Sequence, residues 1–126
     1  MNVLVDTSVW VAHFRNVNST LVSLIERDRV LGHPMLLAEI ACGTPPAPRQ
    51  QTLGDIALLG QAHSASFTEV MAFIEREKLD GLGCGFVDIA LLASACVTPD
   101  ATLWTLDEKL GELGRRFGIE FVPPLP

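Results

Sequence analysis

Four carboxylates in this chain occupy positions that could do chemistry. Asp6 follows the apolar run Val3-Leu-Val5, Asp107 follows Ala101-Thr-Leu-Trp-Thr-Leu106, and Glu39 and Asp88 are lone acids on otherwise apolar stretches. An acid buried alone is costly unless it is hydrogen-bonded, paired or bound to a cation, and several sharing one pocket repel without a metal. A set of hard oxygen ligands without cysteine or histidine suits magnesium or manganese rather than zinc. Two such ions about 3.5 to 4 Å apart activate a water and stabilise the leaving oxygen in phosphodiester hydrolysis. Three of the acids also have a plainer reading. Asp6 can cap the helix after it, Asp88 can sit in a helix first turn for the sake of the dipole, and Glu39 can face solvent.

The elements that carry these acids decide whether they meet. Val3, Leu4 and Val5 form the uninterrupted apolar run of a strand buried on both faces of a parallel sheet. Thr7 and Ser8 are good capping residues before Val9, Trp10, Val11 and Phe14, so the chain passes from strand to helix at Asp6. An acid there lies in the crevice above the strand ends, where open α/β sheets bind their ligands. The same handover recurs at Asp107, before a helix over 108–117. Further helices are expected over 19–27, from Pro34 to a stop at Gly43, over 49–59, over 66–78 from the capping box Ser66-Phe-Thr-Glu69, and over 86–97. Short strands are expected at 30–33 and 119–122, with a proline-rich connection at 44–48 and a proline-rich tail at 122–126. This alternation predicts one α/β domain over 1–126, a small parallel sheet of four or five strands flanked by helices.

Composition narrows the partners. The chain has 126 residues and 48% hydrophobic content, enough for a full core without disulfides. Its 15 acids against 9 bases give a net charge of -6, which excludes coating nucleic acid or an anionic membrane through bulk charge. Four acids committed to cations, however, leave a nearly neutral body. Cys42, Cys84 and Cys96 are odd in number and widely spaced, as in reduced thiols of a cytoplasmic protein. The amino terminus lacks a signal-peptide pattern, and the apolar stretch 86–97 is too short to span a bilayer, so no membrane role is expected. The glycines of Gly81-Leu-Gly-Cys-Gly85 match no nucleotide-cradle pattern. His13, His33 and His63 have no evident partners in the sequence and are read as surface or structural.

Val3-Leu-Val-Asp-Thr-Ser-Val-Trp10, Pro34-Met-Leu-Leu-Ala-Glu-Ile-Ala-Cys-Gly43, Gly83-Cys-Gly-Phe-Val-Asp-Ile-Ala-Leu-Leu-Ala-Ser-Ala95 and Thr102-Leu-Trp-Thr-Leu-Asp-Glu-Lys-Leu110 occur in the order and acid type of a known family. Together they resemble the PIN-domain ribonucleases, and within them the VapC-type toxins of bacterial toxin-antitoxin pairs. The resemblance covers essentially the whole chain. It implies a three-layer fold, Mg- or Mn-dependent endonuclease action on tRNA or rRNA with one or two ions per site, a homodimer, and inhibition by a cognate VapB-type antitoxin. Carried over by residue, Asp6, Glu39, Asp88 and Asp107 match the acidic metal-binding quartet, and Ser8 and Thr105 match supporting hydroxyls. Glu108 could share the task of Asp107. The bases nearest the sheet top or its following helices are Arg15, Arg49, Lys109, Arg115 and Arg116, and Arg15, Arg49 and Lys109 are the candidates for substrate contact.

Two rivals define the tests. A phosphatase of the haloacid dehalogenase type also begins strand-acid, but needs a second acid two residues on, where this chain has Ser8. A non-catalytic PIN-like module would bind RNA or protein without cutting.

Overall fold

The sheet is built outward from β1 (Asn2–Val5), which has a hydrogen-bonded neighbour on each side. The computed structural model describes residues 1–125; position 126 of the expected tail lies outside the described residues. In chain order β1 is followed by α1 (Thr7–Arg15), α2 (Ser19–Glu26), β2 (Val30–Gly32), α3 (Pro34–Cys42) and α4 (Arg49–Ala57). Then come β3 (Gly60–Gln61), α5 (Phe67–Glu77), α6 (Phe86–Val97), β4 (Ala101–Trp104) and α7 (Glu108–Arg116). The sheet order is β3-β2-β1-β4, and every pairing is parallel. Parallel neighbours require crossovers, and the helices between the strands supply them.

This topology explains the apolar run that precedes Asp6. Val3, Leu4 and Val5 are at most 1% exposed because β1 is flanked by strands and covered on both faces. Val5 pairs with Trp104 of β4, so the two strands finish level with each other. Their carboxyl ends therefore deliver Asp6 and Thr105 side by side, and the Asp6 amide donates to the Trp104 carbonyl at 2.9 Å. α6 is buried along Ile89–Ala95, as a helix apolar nearly all round must be, and it packs against β4, α3, α5 and α7. α5 opens with the expected Ser66–Glu69 capping box.

Several expectations need adjustment. The strand expected at 119–122 contracts to one parallel bridge, Leu103 with Glu120, although Leu103 still exchanges backbone hydrogen bonds with Ile119 and Phe121. β3 carries no apolar pattern, since both its residues are exposed, and nothing in its composition announces it. The strand expected to reach 106 stops at Trp104. His33 lies beyond β2 and caps α3 instead, accepting from the Met35 amide through Nδ1 at 3.1 Å. The three cysteines are free, and among the described residues no helix is long and apolar enough to cross a membrane.

Candidate metal centre

Asp6 is 4% exposed, and although it is the N-cap residue of α1 its side chain makes no capping bond. The carboxylate turns instead to two hydroxyls. Ser8 Oγ donates to Oδ2 at 2.8 Å and Thr105 Oγ1 donates to the same oxygen at 2.7 Å. Both hydroxyls are themselves held by backbone amides, Ser8 Oγ accepting from Leu106 and Thr105 Oγ1 from Asp107, each at 3.0 Å. The network thus stitches the start of α1 to the turn after β4 and fixes the rotamer of Asp6.

The other three acids are anchored in the same one-sided manner. Glu39, on the exposed side of α3, accepts from Thr7 Oγ1 through Oε1 at 2.7 Å. Asp88 accepts from the Gly85 amide through Oδ2 at 3.3 Å, so its capping role is real. Asp107 caps α7 by accepting from the Leu110 amide through Oδ1 at 2.9 Å. Among the described residues, each of the four carboxylates has one oxygen tied to its own scaffold and one oxygen without a hydrogen bond. The ion pairs of the described residues involve Asp100, Glu77 and Glu120, and none of these four.

Their proximity is felt at Asp88. Burial lifts its pKa above the ordinary 3.8, and the charges of Asp6, Asp107 and Glu39 raise it further against the Gly85 hydrogen bond. The arrangement is nevertheless open, for among the described residues no group of three or more His, Cys, Asp or Glu side chains stands ready to hold a metal ion. Oxygen-only donors, four unclaimed oxygens and mutual repulsion fit a hard divalent cation, which would supply the missing counter-charge.

The remaining candidates divide by what already occupies them. Arg49 is committed to the end of α3, donating to the Ala41 carbonyl at 2.6 Å and the Gly43 carbonyl at 3.5 Å. Arg115 pairs with Glu120, and Arg116 with Glu77. Lys109 lies across Gly83, where φ is +87° and a Cβ would come within 2.6 Å of Nζ. Arg15 is exposed and lines a groove whose wall also includes Glu39. Glu108 is exposed next to Asp107 and lines the same groove. Thr7 is the contact that sequence reasoning missed, because a threonine after a strand reads equally well as a helix-start residue. The histidines are structural or exposed: His13 Nδ1 accepts from Asn18, His33 is buried, and His63 is exposed.

An all-parallel α/β sheet flanked by helices, with Asp6 and Asp107 beyond the carboxyl ends of the neighbouring strands β1 and β4, fits a PIN-like domain. No protein-family model matches the chain. Two curated relatives do, both bearing the name Ribonuclease VapC32, from Mycobacterium tuberculosis strains CDC 1551 / Oshkosh and ATCC 25618 / H37Rv. Each is 38% identical over 108 residues, covering 86% of this chain and 86% of the relative. The chain belongs to the VapC family of PIN-domain proteins.

Proposed function

We propose that this protein is a magnesium- or manganese-dependent endoribonuclease, the toxin of a toxin-antitoxin pair. The observation that carries this reading is the set of four carboxylates around Asp88, each with one anchored and one unclaimed oxygen and none paired with a cation. The names of the relatives supply the reaction class. Asp6, Glu39, Asp88 and Asp107 would hold the metal, with Ser8, Thr105 and Thr7 fixing their orientation. When bound, one or two such ions lower the pKa of water and stabilise charge on the phosphate oxygens. The carboxylates would also orient the attacking water. The buried position of Asp6 keeps its unclaimed oxygen from swinging into solvent.

An acidic crevice of this kind also accepts a guanidinium, so a VapB-type antitoxin that inserts an arginine would compete with the metal. A homodimer and a cytoplasmic location, with tRNA or rRNA as substrate, belong to the same reading. The phosphatase alternative is disfavoured because the hydroxyl of Ser8, where a second acid is required, is committed to Asp6 and Leu106.

The test is cleavage of structured RNAs in magnesium, manganese or chelator, beside Asp6→Asn and Asp88→Asn. Cleavage is expected to need the divalent ion and to be lost in both variants. Cutting that survives chelation and both substitutions would refute the metal-dependent reading. Tight RNA binding without cutting, across a broad panel, would favour the non-catalytic module.

A further inference from the structure

The grooves that border the acids differ in the charge of their linings. One, about 520 Å³, lies at the start of α7 and is lined by Leu82, Gly83, Asp107, Glu108, Lys109 and Glu112. Three acids against one lysine repel a polyphosphate strand. A second, also about 520 Å³, has Thr7, Glu39 and Val87 in its wall and no cation. A third, about 480 Å³, is also bounded by Glu39, and its lining includes Phe14, Arg15, Thr44, Pro45 and Pro46. Its volume lies in the range that takes a small organic group. Arg15 is its one cation, and among the described residues that guanidinium makes no hydrogen bond or ion pair.

We propose that the groove lined by Arg15 and Phe14 is a nucleotide subsite, seating the ribonucleotide next to the scissile phosphate with its base against Phe14 and Arg15 on a backbone phosphate. The proposal rests on the reading of the acids as a ribonuclease centre. Continuity is the first argument: Glu39 is both a wall of the groove and a member of the acid group, so a strand lying over the acids can run directly into it. Charge then selects among the grooves, because this groove opposes a single acid with an uncommitted arginine, whereas the groove at α7 sets three acids against one lysine and the groove at Val87 holds Glu39 with no cation. Chemistry of the wall agrees. Unpaired bases bind on aromatic side chains whatever their identity, and a cation beside them contacts the phosphate. The Phe14 ring is held in advance, its centroid 6.1 Å from that of Trp10 and 6.2 Å from that of His13. Pro45 and Pro46 form a wall of restricted backbone freedom that loses little entropy on contact. The other guanidinium groups near the sheet top or in α7 are spent on Ala41, Gly43, Glu120 and Glu77.

The experiment measures binding of a fluorescein-labelled, randomised ten-nucleotide RNA to Asp88→Asn protein in magnesium, with Arg15→Ala or Phe14→Leu added. Arg29→Ala, beside the amino-terminal end of β2, is the control. Arg15→Ala and Phe14→Leu are each expected to weaken binding on the order of tenfold. Arg15→Ala should also reduce the slope of log affinity against log salt by about 0.7, as loss of one single-strand phosphate contact requires. Arg29→Ala should change neither quantity. Because Arg15 is exposed, its variant stays folded and decides the matter even where Phe14→Leu loosens α1. Unchanged affinity and an unchanged salt slope in Arg15→Ala would overturn the subsite. Unchanged RNA binding with lost binding of a co-expressed antitoxin would overturn it too, assigning the groove to a peptide. Failure of the ribonuclease reading is separately visible, as wild-type protein that leaves RNA intact in manganese.

Discussion

Asp6 receives two hydroxyl protons on one oxygen, and that asymmetry governs what substitution at its neighbours does. Thr105→Val removes one donor and frees the Asp107 amide, while the carboxylate itself remains. Loss of an orienting partner of this sort costs about 10- to 100-fold in metal affinity. Manganese titration by calorimetry should read that loss, and Thr105→Ser, which keeps the hydroxyl, should restore most of it. Asp88 behaves oppositely, since it is destabilising without a cation. Its pKa is raised in the fold by burial and then by Asp6, Asp107 and Glu39, so from 3.8 upward the native state binds more protons than the unfolded one. The group's favourable contribution is complete below 3.8 and is lost as pH rises through the folded value. Asp88→Asn should therefore raise the Tm of metal-free protein at pH 7, and this gain should disappear toward pH 3. Saturating manganese should reverse the ranking if Asp88 is one of the ligands, because the wild type alone keeps all four proposed carboxylates.

Helices α3 and α6 carry Glu39 and Asp88, and a buried histidine joins them. His33 accepts from the Met35 amide through Nδ1, which places its proton on Nε2, and Nε2 then donates to Ser94 Oγ at 3.0 Å. Ser94 Oγ also accepts from the Ala65 amide, bringing in the segment before α5. Burial lowers the His33 pKa below 6.5, so between the folded value and 6.5 the unfolded chain binds the extra proton. Stability from this group is present above 6.5 and falls away as pH drops through that window, where protonation of Nδ1 also breaks the cap of α3. Tm measured from pH 8 to pH 5 should decline, and His33→Gln, though less stable at pH 8, should decline less. The sequence could not disclose this junction, because His33 and Ser94 are 61 residues apart. The one signal was a serine inside a helix apolar nearly all round. Elements defined by their own apolar runs and caps, such as β1, α5 and α6, were legible for the converse reason. β3 was not, since two exposed residues pair only because β2 presents an edge. Among the candidate site residues, Glu39 and Asp88 stand out as lone acids on apolar segments and Asp6 and Asp107 by their place where a strand hands over to a helix, whereas the Thr7–Glu39 contact depends on how α1 packs on α3.

At the scale of the whole molecule, the four acids come from parts of the chain that only the folded sheet brings together. Asp6 follows β1, Asp107 follows β4, and Glu39 and Asp88 ride on α3 and α6. Unfolding disperses all four, so a cation bound among them stabilises the entire domain rather than one loop. With the free ion at a hundredfold its Kd, that linkage is worth about 2.7 kcal/mol. For a chain of 126 residues this corresponds to a Tm increase on the order of 10 °C. The net charge of -6 offers a competing origin for any salt-induced rise, since screening relieves general repulsion. Sodium chloride at matched ionic strength separates the two: a site-specific ion should raise Tm at millimolar manganese where sodium does little. Asp6→Asn, which changes the total charge by only one, should abolish most of the manganese shift. An equal rise with sodium, or a full manganese shift in Asp6→Asn, would place the effect on the surface charge and leave the acid group without its cation.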